Sequence, residues 1–295
     1  RGAPLIGVTG AYGVFLAAKE NKELKFIEDA CDYLNSARPT AVNLSWALNR
    51  MLQKAFDSKS NNIIENLCNE ANKILEEDIN FCENIGKYGC EIIKDIYNKK
   101  KRPINILTHC NAGWLATVDW GTALAPIFLA NRNKIPIHIW VDETRPRNQG
   151  ALLTAWELKN ENAPYTVITD NAGGYLMSKG EVDLCIVGSD RITRDGDVCN
   201  KIGTYLKALA AKAHNIPFYA AAPTSTIDLS INKGEKVPIE IRNGAELSRI
   251  KIKKNGSILE GDAYFPKAKT FNPAFDITPS RLVDKIITEY GVMNC

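Results

Sequence analysis

The sequence predicts an α/β protein: a Rossmann-like domain with a mainly parallel sheet over residues 103–295, preceded by a smaller helical domain over residues 1–102. Up to about Arg102 the apolar residues recur at helical spacing. From Pro103 short β-branched runs alternate with helical ones, the texture of βαβ units whose sheet is covered on both faces. The strand candidates also share an asymmetry, with polar or reactive residues at their carboxyl ends and mostly Pro, Lys and Asn at the other. One rim of the sheet therefore reads as a working surface.

In chain order, Pro4 stands at a first helical position, and the helix it opens carries Gly7, Gly10 and Gly13. An interior Gly costs about 1 kcal/mol relative to Ala, so close backbone packing is the expected compensation. Leu24, Ile27 and Cys31 share a helix face, Val42, Leu44, Leu48 and Leu52 share another, and residues 63–96 form one long amphipathic stretch or two. The strand candidates are 104–108, 137–141, 165–169, 182–187 and 218–221, with helices expected near 122–130, 150–159, 172–177 and 202–213. Residues 231–269 are less regular and suit an edge hairpin or an excursion. Thr278-Pro279 reads as the capped start of a final helix.

A chain of 295 residues buries a large core. Its 37 basic and 34 acidic residues nearly balance, so nothing calls for nucleic acid. The dense basic run 98–102 reads as a solvated helix end or linker. Eight cysteines are scattered without the short paired spacings of zinc or redox motifs, which fits a reducing, cytoplasmic home. No apolar run approaches the ~20 residues of a membrane span. Because the chain opens on Arg1 rather than Met, a preceding segment is expected and a targeting signal stays open.

The strand ends carry the chemistry. They run into Thr108-His109-Cys110-Asn111-Ala112-Gly113, Asp142-Glu143-Thr144-Arg145, Asp170-Asn171 and Gly188-Ser189-Asp190-Arg191. Asp142 and Asp170 suit helix N-caps as well as a site. His109 beside Cys110 leaves a metal pair or a thiol nucleophile open, although neighbours on a strand point to opposite faces. The segment 197–203 reads as the opening of a helix, and a Lys in a first turn, Lys201, hints at an anion held there, with a solvent-exposed Lys as the plain alternative. Arg1 supplies a second candidate phosphate ligand. No glycine-rich dinucleotide fingerprint and no phosphate-binding loop of the G-x-x-x-x-G-K-[ST] type is present.

Six strings in order then carry a resemblance: 1–4 (RGAP), 38–44 (RPTAVNL), 108–113 (THCNAG), 142–146 (DETRP) with Gln149-Gly150, 188–192 (GSDRI) and 196–204 (GDVCNKIGT). The chain resembles the methylthioribose-1-phosphate isomerases of methionine salvage along nearly its whole length. The resemblance implies Cys110 as catalytic thiol and Asp190 as proton donor, with substrate contacts from Arg1, Gly2, Ala3, Arg38, Gln149, Asn200 and Lys201. It also implies a cofactor-free and metal-free cytoplasmic homodimer that turns 5-methylthioribose 1-phosphate into 5-methylthioribulose 1-phosphate, with no nucleic acid and no membrane as partner. The nearest alternative is the same isomerisation of 5-deoxyribose 1-phosphate or ribose 1,5-bisphosphate. The second alternative is a non-catalytic regulatory subunit sensing a sugar phosphate or nucleotide. Leu152, Ser189, Trp114, Asp119 and Trp120 depart from the commoner family pattern, and they bear on the group at sugar carbon 5.

Overall fold

The computed structural model describes residues 2–38, 42–58, 62–265 and 268–294. Four helices come first: α1 (Ala3–Glu20), α2 (Leu24–Asn35), α3 (Val42–Phe56) and α4 (Ile63–Lys100). Their shared core contains Val14, Ile27, Leu48, Met51, Leu67 and Ile74, in line with the apolar spacing that predicts them. The glycines of α1 are packing residues. A Cβ on Gly7 would lie 2.6 Å from the Asn43 carbonyl oxygen, and one on Gly10 would lie 2.6 Å from Leu44 Cδ1.

Residues 63–100 form one continuous helix of 38 residues. Its first half belongs to the helical core, while Ile85, Cys90 and Ile93 join the core of the sheet. The basic run at its end is held by one carboxylate. Arg102 donates twice to Asp183 at 2.8 Å, and Lys100 pairs with the same group.

The α/β part begins with β1 (Ile104–Thr108), α5 (Ala125–Arg132), β2 (Ile137–Asp142), α6 (Ala155–Asn160), β3 (Tyr165–Ile168), α7 (Ala172–Ser178) and β4 (Leu184–Val187). It continues through β5 (Arg191–Thr193), β6 (Val198–Lys201), α8 (Thr204–Ala213), β7 (Phe218–Ala221) and β8 (Ile227–Asp228). After α9 (Ala245–Ser248) come the hairpin β9 (Arg249–Lys254) and β10 (Ser257–Asp262), then β11 (Phe275–Thr278), β12 (Lys285–Thr288) and β13 (Gly291–Met293). Seven strands form one sheet in the order β13-β12-β7-β4-β1-β2-β3, parallel except for β13. A smaller sheet runs β11-β6-β5-β8.

Two expectations fail. Residues 198–201 are a strand, not the opening of a helix: β6 pairs antiparallel with both β5 and β11, and α8 starts only after Gly203, whose φ is 102°. After Thr278-Pro279 there is a single 3-10 turn, Ser280–Leu282, and then β12 rather than a helix. The run Lys285-Ile286-Ile287-Thr288 completes the parallel sheet beside β7, so burial of its β-branched residues overrides the helix-start signal. The irregular stretch 231–269 does hold the expected hairpin, closed by Asn255-Gly256 with both residues at positive φ.

Gly7→Ala should lose about 1–3 kcal/mol by overpacking, read as a lower denaturant midpoint with unchanged slope. Gly174→Ala on α7, where the nearest atom would lie 3.7 Å away, should match or exceed the parent's stability.

Candidate active site

Chain progress across the main sheet reverses between β1 and β4, which pair in parallel, so the two segments leaving these strands enter one crevice. The first carries Cys110, whose φ of 69° lies in the left-handed region. Two threonines hold it there. The Cys110 amide donates to Thr144 Oγ1 at 2.9 Å, and Thr154 Oγ1 donates to the Cys110 carbonyl at 2.7 Å.

Asp170 and Asp142 are not helix caps. Asp170 accepts the amides of Thr144 (2.7 Å) and Arg145 (2.8 Å), pinning the loop that reaches Cys110. Asp142 is fully buried and takes His109 Nδ1 at 2.7 Å and Lys207 Nζ at 3.1 Å on the same oxygen. His109 turns its other nitrogen to the Ile202 carbonyl at 2.8 Å. Both ring nitrogens are thus engaged away from Cys110, and a Cys–His nucleophile pair is not formed. One donor atom each from His109, Asp142 and Asp170 lie within 4.8 Å of one another, yet the Lys207 ammonium already sits on Asp142. That group is a charge-balanced floor rather than a metal cradle.

Above this floor opens a cavity of about 820 Å³, its mouth included. Gly2, Ala3, Arg38, Cys110, Gln149 and Asp190 line it, as do Asn200 and Lys201. Arg1 lies outside the described residues. Gly2 enters by a backbone of φ 95° pressed on Ala116, where a Cβ would lie 2.4 Å from the carbonyl oxygen. Arg147 and Arg242 also line the cavity. Arg147 stands just past the strand end marked at 142–145 and was not singled out, and Arg242 comes from the irregular stretch, where no sequence signal pointed to it. Leu152 is 65% exposed and, with Trp114 and Trp120, lies off the cavity. Ser189 lines it but turns its hydroxyl onto the carbonyls of Arg191 and Cys199.

Burial raises the Asp190 carboxyl above the usual carboxylate range, against the pull of Lys201, Arg38 and Arg242. Arg191, next in sequence, pairs with Asp228 at 2.9 Å. Burial pushes the Lys201 ammonium down, while Cys110 and Asp190 draw it up. Its Nζ donates to the Ala274 carbonyl at 2.7 Å and stands 4.3 Å from the Phe275 ring centroid. Arg242 is matched by Glu240 at 3.0 and 3.1 Å, and Arg147 by Glu246.

The initiation factor 2 subunit family model matches residues 1–295. A methylthioribose-1-phosphate isomerase of Methylorubrum extorquens is 54% identical, over 99% of this chain and 80% of that protein. The chain belongs to the methylthioribose-1-phosphate isomerase group of this family. Among solved structures, the 5-methylthioribose 1-phosphate isomerase of Pyrococcus horikoshii is 40% identical with a TM-score of 0.82, over 99% of this chain and 80% of that one. A structure described as translation initiation factor eIF-2B subunit delta from A. fulgidus is 42% identical with a TM-score of 0.78, over 100% of this chain and 84% of that one.

In this member of the isomerase group, a buried carboxylate underlies the Cys110 loop. Glu157 accepts the Leu115 amide at 2.9 Å and Asn111 Nδ2 at 3.3 Å, and burial pushes its carboxyl up to about 7 against those two bonds. A carboxyl raised in the fold binds protons more tightly there than in the unfolded chain, so stability falls as pH rises from the unfolded value toward the folded one. The loss reaches up to about 3 kcal/mol. Glu157→Gln, neutral throughout, should match the parent near about pH 4 and exceed it near about pH 8 in denaturant midpoint.

Proposed function

We propose that this chain isomerises 5-methylthioribose 1-phosphate to 5-methylthioribulose 1-phosphate in methionine salvage, with Asp190 as the acid and Cys110 as the thiol of the hydrogen-transfer step. The observation that supports this most is that Cys110 and Asp190 leave neighbouring strands and line one cavity with Lys201 and Arg38. Both groups a regulatory subunit could dispense with are therefore present where a substrate would lie.

A sugar whose anomeric oxygen carries phosphate has no anomeric hydroxyl proton to lose. Its ring opens only if the ring oxygen takes a proton as the bond to carbon 1 breaks. Asp190 suits this step because burial keeps its carboxyl protonated to higher pH than an ordinary aspartate. Hydrogen then moves from carbon 2 to carbon 1, and Cys110 serves there as proton carrier or as stabiliser of developing charge. Carbon 2 is oxidised as carbon 1 is reduced within one molecule, so the reaction needs no redox cofactor, and the proton lost from the carbon 2 hydroxyl as the ketone forms restores the Asp190 acid. Lys201, Arg38 and the Gly2–Ala3 start of α1, with Arg1, would hold the phosphate, and Gln149 and Asn200 would orient the sugar.

Arg147 and Arg242 already have carboxylate partners in Glu246 and Glu240, which makes them weaker phosphate ligands than Lys201 and Arg38. The family departures at Leu152, Trp114 and Trp120 lie off the cavity. The same reading carries a homodimer working in the cytoplasm; none of the described cysteines forms a disulfide, which suits a reducing compartment. Among the described residues no helix is long and apolar enough to cross a membrane.

Cys110→Ser and Asp190→Asn should each lower kcat by at least ~10²-fold with the fold intact by circular dichroism. Since the acid must be protonated, kcat should fall as pH rises through the raised Asp190 value, and this limb should be missing from the residual rate of Asp190→Asn. Near-normal turnover in either variant would overturn the assignment. In parallel assays, kcat/KM for 5-methylthioribose 1-phosphate should exceed that for ribose 1,5-bisphosphate by more than ~10-fold, and the reverse order would reassign the substrate.

A further inference from the structure

A cysteine with φ of 69° keeps that conformation only where its surroundings over-determine it, and such positions cluster at functional sites. Three features of the segment after β2 converge on Cys110. The first is a π-type turn over Gly150–Thr154, closed by the Ala155 amide on the Gly150 carbonyl five residues back, a device found mostly at functional sites. The second is Gly150 itself, where a Cβ would lie 1.7 Å from the Asp142 carbonyl oxygen. Only a glycine lets the turn press this closely on the end of β2. The third is what the turn presents: Thr154, fully buried, donates to the Cys110 carbonyl at 2.7 Å and accepts Asn111 Nδ2 at 3.2 Å.

One residue-turn further on, Glu157 accepts from the same Asn111 and from the Leu115 amide. Thr144, also fully buried, accepts the Cys110 amide at 2.9 Å and donates to the Asp142 carbonyl at 3.0 Å. Each hydroxyl proton is committed to one carbonyl, so both bonds to Cys110 have a fixed direction. The carbonyl and the amide of the cysteine are clamped from two points of the one connection between β2 and α6.

We propose that Thr154, with Thr144, is a positioning residue for the reaction: the two hydroxyls hold Cys110 in the left-handed conformation that presents its thiol to the sugar. Neither threonine lines the cavity, so neither touches substrate. Their effect is therefore on the hydrogen-transfer step and not on phosphate capture, which Lys201 and Arg38 serve. The proposal rests on the isomerase reading.

The test is steady-state kinetics on 5-methylthioribose 1-phosphate with Thr154→Val and Thr154→Ser, alongside thermal midpoints and assayed well below them. Val is close in shape but lacks the hydroxyl, and Ser restores it. Thr154→Val should lower kcat by about 10- to 100-fold with KM within about threefold, since misplacement of a reacting group by an ångström costs that much. Thr154→Ser should recover kcat to within about threefold. If Thr154→Val does not fold, Thr144→Val and Thr144→Ser carry the same comparison from the amide side. An active parent with a fully active valine variant, or a kcat loss that serine does not recover, overturns this inference alone. A parent that does not turn over the sugar phosphate overturns the isomerase reading itself.

Discussion

Parallel pairing of β1 with β4, Leu107 against Cys185, ends two strands side by side at the centre of the sheet. Every other feature of the site depends on that pairing. The segment after β1 bends at Cys110, and the segment after β4 delivers Asp190, because a doubly wound sheet opens its crevice where neighbouring strands send their connections to opposite faces. The smaller sheet then fixes the second half of the cavity. The Asp190 amide bonds to the Cys199 carbonyl at 2.9 Å, and Lys201 follows two residues later on β6. Acid and cation thus sit on one rigid ladder rather than on a free loop.

The charges are arranged in layers. Beneath the cavity, Asp142 takes both His109 and Lys207, and Asp276 accepts the amides of Gly203 and Tyr205 at 2.7 and 3.2 Å. At cavity level, Arg242 and Arg147 carry Glu240 and Glu246 as salt-bridge partners, while among the described residues Lys201 and Arg38 form no carboxylate salt bridge. A buried dianion gains more from a cation without such a partner than from a neutralised arginine. The same burial that lifts Asp190 lowers Lys201, and a phosphate dianion beside Lys201 would draw its ammonium back up.

The helical part is tied to the α/β part by three hydrogen bonds and one packing contact. Asp78 on α4 accepts the Val118 amide at 2.8 Å, and burial pushes its carboxyl up to about 6. Asn43 on α3 donates to Ser225 Oγ at 2.9 Å and accepts from Thr226 Oγ1 at 3.2 Å. Gly2, at the start of α1, lies against Ala116. These contacts join the helical front to the connections after β1 and β7, so α1 reaches the cavity as part of a packed unit.

The order of textures, all five parallel strand candidates and the polar rim with Cys110 and Asp190 were legible in the chain, because burial on both faces leaves a continuous apolar run with an abrupt polar end. Lys201 stood out as a Lys at an expected helix start, and Gln149 and Asn200 came through the family resemblance; the fold brings all five residues to one cavity. The rest depends on neighbours remote in sequence. Val198–Lys201 is a strand because β5 and β11 flank it, and residues 285–288 are a strand because β7 leaves an edge to fill; local spacing carries no record of either neighbour. Asp142 and Asp170 looked like caps because a cap and a loop clamp use the same residue type, and only their partners, His109, Lys207, Thr144 and Arg145, tell them apart. Arg242 reaches the cavity from an irregular segment whose path is set by contacts distant in sequence. The left-handed conformation of Cys110 is likewise a product of Thr144 and Thr154, 34 and 44 residues away, and hydrogen bonds across such distances exist only once the sheet has formed.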